Sequence, residues 1–244
     1  MDGNMIPIIG KTALVTGATG GMGSEIARQL ALEGVNLILL GRNEKKLGVL
    51  KLDLESISDA GIEIVCLDLS KDIEEEAIKL ASRLQRLDIM LHTAGMIIPN
   101  HIENVSREEF EEQFNVNFGS VFTLVKVLLP LLKKTGGQIV MVNSSVIRGA
   151  RDELSVYTST KHALAGFTES LRQEVNTHGV RVMNIIPGKT ATAMQEDLHR
   201  RKNITMRGEL FIQPYEIAYT ILRILKLPFT AEITELAIRP MKKS

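Results

Sequence analysis

Tyr157 and Lys161 stand four residues apart at the end of the stretch from Ser144 to Lys161. If they open a helix, one turn separates them and they share a face. A free phenol has a pKa of about 10 and is a poor base at neutral pH. A neighbouring ammonium favours the phenolate and pulls that value down. A tyrosine tuned in this way exchanges a proton with a substrate hydroxyl or carbonyl. Ser145 follows an apolar, strand-like run and is placed to offer a hydroxyl to the same carbonyl. Tyr-x-x-x-Lys alone is common on ordinary helices, so the chemistry depends on the elements around it.

Those elements alternate regularly. Lys11 to Thr16 reads as a buried strand, rich in β-branched residues and bounded by glycines. The loop Gly17-Ala18-Thr19-Gly20-Gly21-Met22-Gly23 follows. Ser24 to Glu33 then carries Ile26, Ala27, Leu30 and Ala31 at helical spacing. A glycine loop between strand and helix suits a diphosphate. The glycines allow a tight turn and a close approach to the backbone. The helix N-terminus adds N–H groups and the positive end of its dipole. Gly17, Thr19, Gly20, Gly21, Met22 and Gly23 are therefore candidate cofactor contacts.

The beat continues with a strand at Val35–Leu40, a helix capped by Asn43 and running to Ile57, and a strand at Gly61–Leu67. An amphipathic helix over Asp72–Leu84 precedes a strand at Asp88–Leu91, which ends in His92-Thr93-Ala94-Gly95. Ser106 and Glu109 form a capping-box pattern. Further strands fall at Gly137–Asn143, Val180–Ile186 and Glu235–Ile238, and further helices at Val156–His178 and Pro214–Leu225. Alternation of this kind predicts an α/β fold: a Rossmann-type, doubly wound parallel sheet of about seven strands with helices on both faces. No linker or repeat interrupts it, so residues 1–244 are expected to form a single domain. Residues 189–211 look irregular, and 189–213 is expected to be a mobile loop over the substrate.

After the second strand come Gly41 and Arg42 where an acidic residue would accept the adenosine ribose hydroxyls. A guanidinium matches the oxygens of a 2′-phosphate instead. This favours NADP(H), with NAD(H) still open. Asp68, at the end of the third strand, is placed to reach an adenine, or simply to cap the next helix.

Composition narrows the partners. The chain is 44% hydrophobic and 24% charged, with a formal net charge of zero. Neither nucleic acid nor an anionic membrane surface is implied. The lone Cys66 sits in an apolar run and reads as a buried thiol. The first residues lack the basic and apolar regions of a signal peptide. The most apolar run, Val121–Leu132, is interrupted by Thr123, Lys126 and Pro130 and reads as too short to span a bilayer. A cytoplasmic protein is the expectation. That run is also apolar on nearly every face, which predicts a second packing surface and hence a homodimer or homotetramer.

Taken together, these marks resemble the short-chain dehydrogenase/reductase family over nearly the whole chain, Lys11 to about Pro240. Thr16 to Gly23 is similar to its cofactor loop, and Asp68-Leu69 to its adenine contact. His92-Thr93-Ala94-Gly95 falls where the family has Asn-Asn-Ala-Gly. The cofactor contacts implied there are Thr93, Ala94 and Gly95. Asn117, Ser145, Tyr157 and Lys161 match its catalytic asparagine, serine, tyrosine and lysine. Pro187-Gly188, with Thr190 and Thr192, resembles the segment that holds the nicotinamide carboxamide. His92-Thr93 departs from the paired asparagines, and Gly20 stands where NADP-preferring members often carry a basic residue.

The resemblance implies an NAD(P)(H)-dependent oxidoreductase acting on carbonyls and secondary alcohols. Ser145 would orient the carbonyl and Tyr157 would move the proton. Lys161 would hold the nicotinamide ribose and acidify the phenol, and Asn117 would hold a water linking that lysine to solvent. The alternatives are a silent NADP-binding regulator and a related Rossmann enzyme such as a nucleotide-sugar epimerase. The intact catalytic set weighs against the first. The short tail after Pro187 weighs against the second.

Overall fold

The computed structural model describes residues 5–241; the expectation about a signal peptide rests partly on residues outside that range. One parallel sheet of seven strands has the order β3-β2-β1-β4-β5-β6-β7. The strands are β1 (Thr12–Thr16), β2 (Asn36–Gly41), β3 (Ile62–Cys66), β4 (Ile89–His92), β5 (Gln138–Val142), β6 (Arg181–Pro187) and β7 (Glu235–Ile238). The helices are α1 (Gly21–Leu32), α2 (Glu44–Glu55), α3 (Glu74–Arg83), α4 (Arg107–Phe114), α5 (Ser120–Thr135), α6 (Ser155–Val175), α7 (Ala193–Arg201) and α8 (Pro214–Leu225).

Successive strand residues feed two cores. Ala13, Val15, Leu37 and Leu39 pack with α1, α2 and α8. Leu14, Ile38 and Leu40 pack with α3, α5 and α6 on the other face. A sheet covered on both sides needs apolar residues at every position, which is why its strands are unbroken apolar runs. Strand order reverses between β1 and β4. A crevice opens beyond their carboxyl ends, the usual ligand position in such sheets.

Local chemistry sets the helix starts. The Asn43 side chain accepts from the Lys46 amide at 2.9 Å. Ser106 and Glu109 complete their capping box. α4 and α5 join through a π turn over Asn115–Gly119.

Three expectations need correction. Cys66 is exposed, because β3 is an edge strand and its last residue leaves the covered part of the sheet. The segment after Gly188 is not irregular throughout: it contains α7, none of whose residues is buried. The apolar run near Val121 is longer than it looked. Arg107–Thr135 is one helical stretch of 29 residues, long and apolar enough by those measures to cross a membrane. Its Val121, Leu124, Val125, Leu128 and Leu132 are nevertheless buried in the core, and Pro130 lies on its exposed side.

Candidate active site

The glycine loop is built by crowding. A Cβ on Gly17 would sit 2.7 Å from the Ala94 Cα, and its φ of +63° is one that side chains rarely adopt. A Cβ on Gly21 would lie 2.9 Å from the Thr192 methyl. No side chain caps α1 at Gly20, so its first-turn amides face the crevice. The loop borders a cleft of about 440 Å³ that Arg42, Lys46, Asp68, Leu69, Thr93, Ala94, Gly95 and Thr192 also line. The glycine cradle and uncapped helix end fit a diphosphate. The two departures from the family at His92-Thr93 leave that cradle intact. The Thr93 hydroxyl donates to the Thr16 carbonyl at 2.6 Å. His92 is buried, and burial lowers its pKa to about 3, so its ring is neutral.

Lys46 was not among the residues singled out from sequence. It stands one turn after Arg42 and lines the same end of the cleft. Asn43 sets that geometry by capping α2. Asp68 accepts from the Ser70 amide and hydroxyl, which hold its carboxyl below the usual value.

A second pocket, of about 290 Å³, adjoins the cleft; Met22, Thr192 and Met194 line both. Ser144, Ser145, Tyr157, Pro187, Gly188 and Thr190 lie in its wall. Of the two serines in this wall, Ser144 is the one whose hydroxyl pulls the Tyr157 pKa partly down. β5 ends at Val142, Ser144 is still extended, and Ser145 begins a short 3-10 helix. Asn143 fixes this register. Its amide donates to the Lys161 carbonyl at 3.2 Å and its oxygen accepts from the Ser144 amide at 2.9 Å.

Tyr157 and Lys161 are both buried on the first turns of α6. The expected tuning of the phenol is not what the structure shows. Burial holds Tyr157 above its ordinary value, with Ser144 and Arg151 pulling partly back. The Lys161 ammonium lies over the ring, 5.8 Å from its centroid, and donates to the Val142 carbonyl at 3.1 Å. Burial lowers its own pKa to about 8.

Asn117, in the π turn, donates to the Met96 carbonyl and the Thr160 hydroxyl and accepts from the Met96 amide. Both of its amide hydrogens are therefore used. It braces the loop after β4 against α6. Gly188 donates to the Ile238 carbonyl at 2.7 Å, and the Thr190 hydroxyl donates back to the Gly188 carbonyl. These bonds shape the wall next to Pro187.

Lys161 carries a signed consequence for stability. In the unfolded chain it keeps its proton to about pH 10.5, but in the folded protein only to about 8. Between those values the unfolded chain binds more protons, so stability rises with pH, and below about 8 the burial penalty is complete. Lys161→Met is expected to be the more stable form at pH 7 in nucleotide-free urea unfolding. Its advantage narrows above pH 8 by at most about 1.4 kcal/mol per pH unit. A gap that stays constant from pH 7 to 10 contradicts this.

An open nucleotide crevice, a glycine cradle and a serine–tyrosine pair beside a buried lysine define a Rossmann-type dehydrogenase class. The short chain dehydrogenase family model matches residues 11–203, and the chain belongs to that family. An uncharacterized oxidoreductase of Staphylococcus aureus (strain USA300) is 30% identical over 240 residues, covering 97% of this chain and all of that one. An alcohol dehydrogenase from the archaeon Thermococcus sibiricus, complexed with 5-hydroxy-NADP, superposes with a TM-score of 0.85 at 29% identity over 96% of this chain and 98% of that one. A Shigella flexneri protein complexed with NADP gives a TM-score of 0.86 at 29% identity, covering 95% and 98%.

Proposed function

We propose that this protein is an NADP(H)-dependent oxidoreductase interconverting a small carbonyl compound and its alcohol, with Tyr157 as the acid and base. The observation that carries the reading is the meeting of Ser144 and Tyr157 in the pocket into which the nucleotide cleft opens. Bound in that cleft, the reduced cofactor supplies a hydride for the carbonyl carbon. The Ser144 hydroxyl orients the carbonyl oxygen. Tyr157 gives that oxygen a proton, or takes one from the alcohol in the opposite direction. Lys161 and Tyr157 would hold the nicotinamide ribose, and Asn117 fixes the Met96 backbone in the wall of the cleft. Pro187, Gly188, Thr190 and Thr192, which line the second pocket, would hold the nicotinamide end. A panel of small ketones, oxo acids and sugar ketones, followed by NADPH absorbance, tests the reading. No oxidation of NADPH with any member rejects it.

Thr19, Arg42 and Lys46 gather where a 2′-phosphate would sit; Thr19 and Lys46 also line the depression next to the cleft. The double variant Arg42→Ala/Lys46→Ala is expected to weaken NADPH binding by about 10- to 100-fold, two charge-assisted contacts being lost. NADH binding should hardly change. Equal loss for both cofactors removes the assignment. The same sheet builds both cavities, which supports one catalytic domain.

The face of α5 and α6 supports a homo-oligomer. Phe122 is 47% exposed there. It meets Phe167 of α6, which in turn meets Phe118, and a Cβ on Gly166 would meet nothing. Sedimentation velocity is expected to give a dimer or tetramer at micromolar concentration; a monomer throughout that range rejects it.

A further inference from the structure

The charges around the second pocket are not equivalent. Lys202 pairs with Glu153 at 2.6 Å, Arg148 with Glu235 at 2.5 Å, and Arg207 with Glu209 at 3.1 Å. Arg200 pairs with Asp197. Arg151 lines the pocket, yet among the described residues its side chain makes no salt bridge or hydrogen bond. Its guanidinium lies close enough to the reacting end to lower the pKa of both the Tyr157 phenol and the Lys189 ammonium.

We infer that Arg151 is the specificity-determining residue of this pocket and that the substrate is a short oxo acid or hydroxy acid whose carboxylate it binds. This rests on the oxidoreductase reading above. The pocket wall carries Arg151, Lys189 and Lys202 against Asp152 and Glu153. That is an excess of one positive charge, which matches a monoanion; the two acids would oppose a dianionic phosphate ester. A guanidinium grips a carboxylate with two parallel N–H donors. Ile97, Val146, Leu154, Met194 and Leu198 supply apolar wall for a short alkyl chain. With the carboxylate on Arg151, the chain runs past these residues and leaves the carbonyl to Ser144 and Tyr157. Arg200, Lys202 and Arg207 near α7 are each paired with an acid, so the attraction centres on Arg151.

The test is calorimetric and needs no turnover. The NADPH-bound protein is titrated with hexanoate and, separately, with hexanamide. The carboxylate is expected to bind about tenfold more tightly, as a charge-assisted contact allows. Arg151→Gln should erase the difference, while Arg200→Gln should preserve it. Equal affinity for the two ligands, including undetectable binding of both, overturns the inference, as does a preference that survives Arg151→Gln. A kinetic arm compares 3-oxohexanoate with its methyl ester, and the acid should lose its KM advantage in Arg151→Gln. If no carbonyl compound is reduced while hexanoate keeps its preference, the redox reading fails and the anion site stands. If the ester is reduced as well as the acid, the anion site fails and the redox reading stands.

Discussion

Tyr157→Phe is expected to lower kcat for carbonyl reduction by about 10³- to 10⁴-fold, the scale set by losing a positioned proton donor. The variant keeps the ring, its packing on α6 and its place over Lys161, and deletes only the hydroxyl that Ser144 reaches. NADPH affinity should therefore stay close to wild type. Nicotinamide fluorescence measures that cleanly, because the chain has no tryptophan. The pH profile separates a lost acid from a distorted site. Burial holds the phenol above its ordinary value, so in the wild type it stays protonated across neutral and mildly alkaline pH. Reduction should be flat there and fall only at high pH, while alcohol oxidation should climb with pH. The phenylalanine variant should show neither limb. Ser144→Ala belongs to the same experiment and should slow turnover strongly, whereas Ser145→Ala should not. Near-normal turnover in Tyr157→Phe removes the acid from the mechanism, and a reversed serine result returns the role to Ser145.

That last contrast marks where the sequence stops being readable. The strand and helix order, the two-sided sheet and the glycine loop were legible because each rests on a local pattern: unbroken apolar runs, helical spacing, or caps such as Asn43 and Ser106. The choice between Ser144 and Ser145 depends on where β5 stops, and at a strand end one residue decides which way a side chain points. α7 was missed because it buries none of its residues and so has no apolar stripe for spacing to reveal. The upward shift of Tyr157 comes from burial, a property of packing rather than of the Tyr-x-x-x-Lys spacing. Lys46 was overlooked because a lysine in a polar first turn looks solvated until the cleft is seen beside it. Misses of this kind fall on side-chain direction and burial, and the site depends on both.

Gly23→Ala tests the nucleotide crevice without touching any titrating group. Gly23 lies in the first turn of α1, and among helix-interior glycines an alanine normally stabilises by about 1 kcal/mol. Gly48 in α2 is such a case, because a Cβ there would meet nothing within 4 Å. At Gly23 the added carbon would press on the Gly17 carbonyl oxygen and lie 2.7 Å from the Thr93 hydroxyl. Neither neighbour can yield cheaply. Gly17 is itself wedged against Ala94, and Thr93 is tied to the Thr16 carbonyl at the end of β1. Relief must come from moving the loop away from β4, which opens the turn that places the α1 amides around the diphosphate. Gly23→Ala is thus expected to cost about 3 kcal/mol of stability, the range for overpacking a tight site, and to weaken NADPH binding by at least about 100-fold. Gly48→Ala should raise the unfolding midpoint and leave NADPH binding alone. Chemical denaturation alongside a fluorescence titration of NADPH reads both effects. If Gly23→Ala binds NADPH normally, the close contact between the glycine loop and the end of β4 is not what shapes the cofactor site.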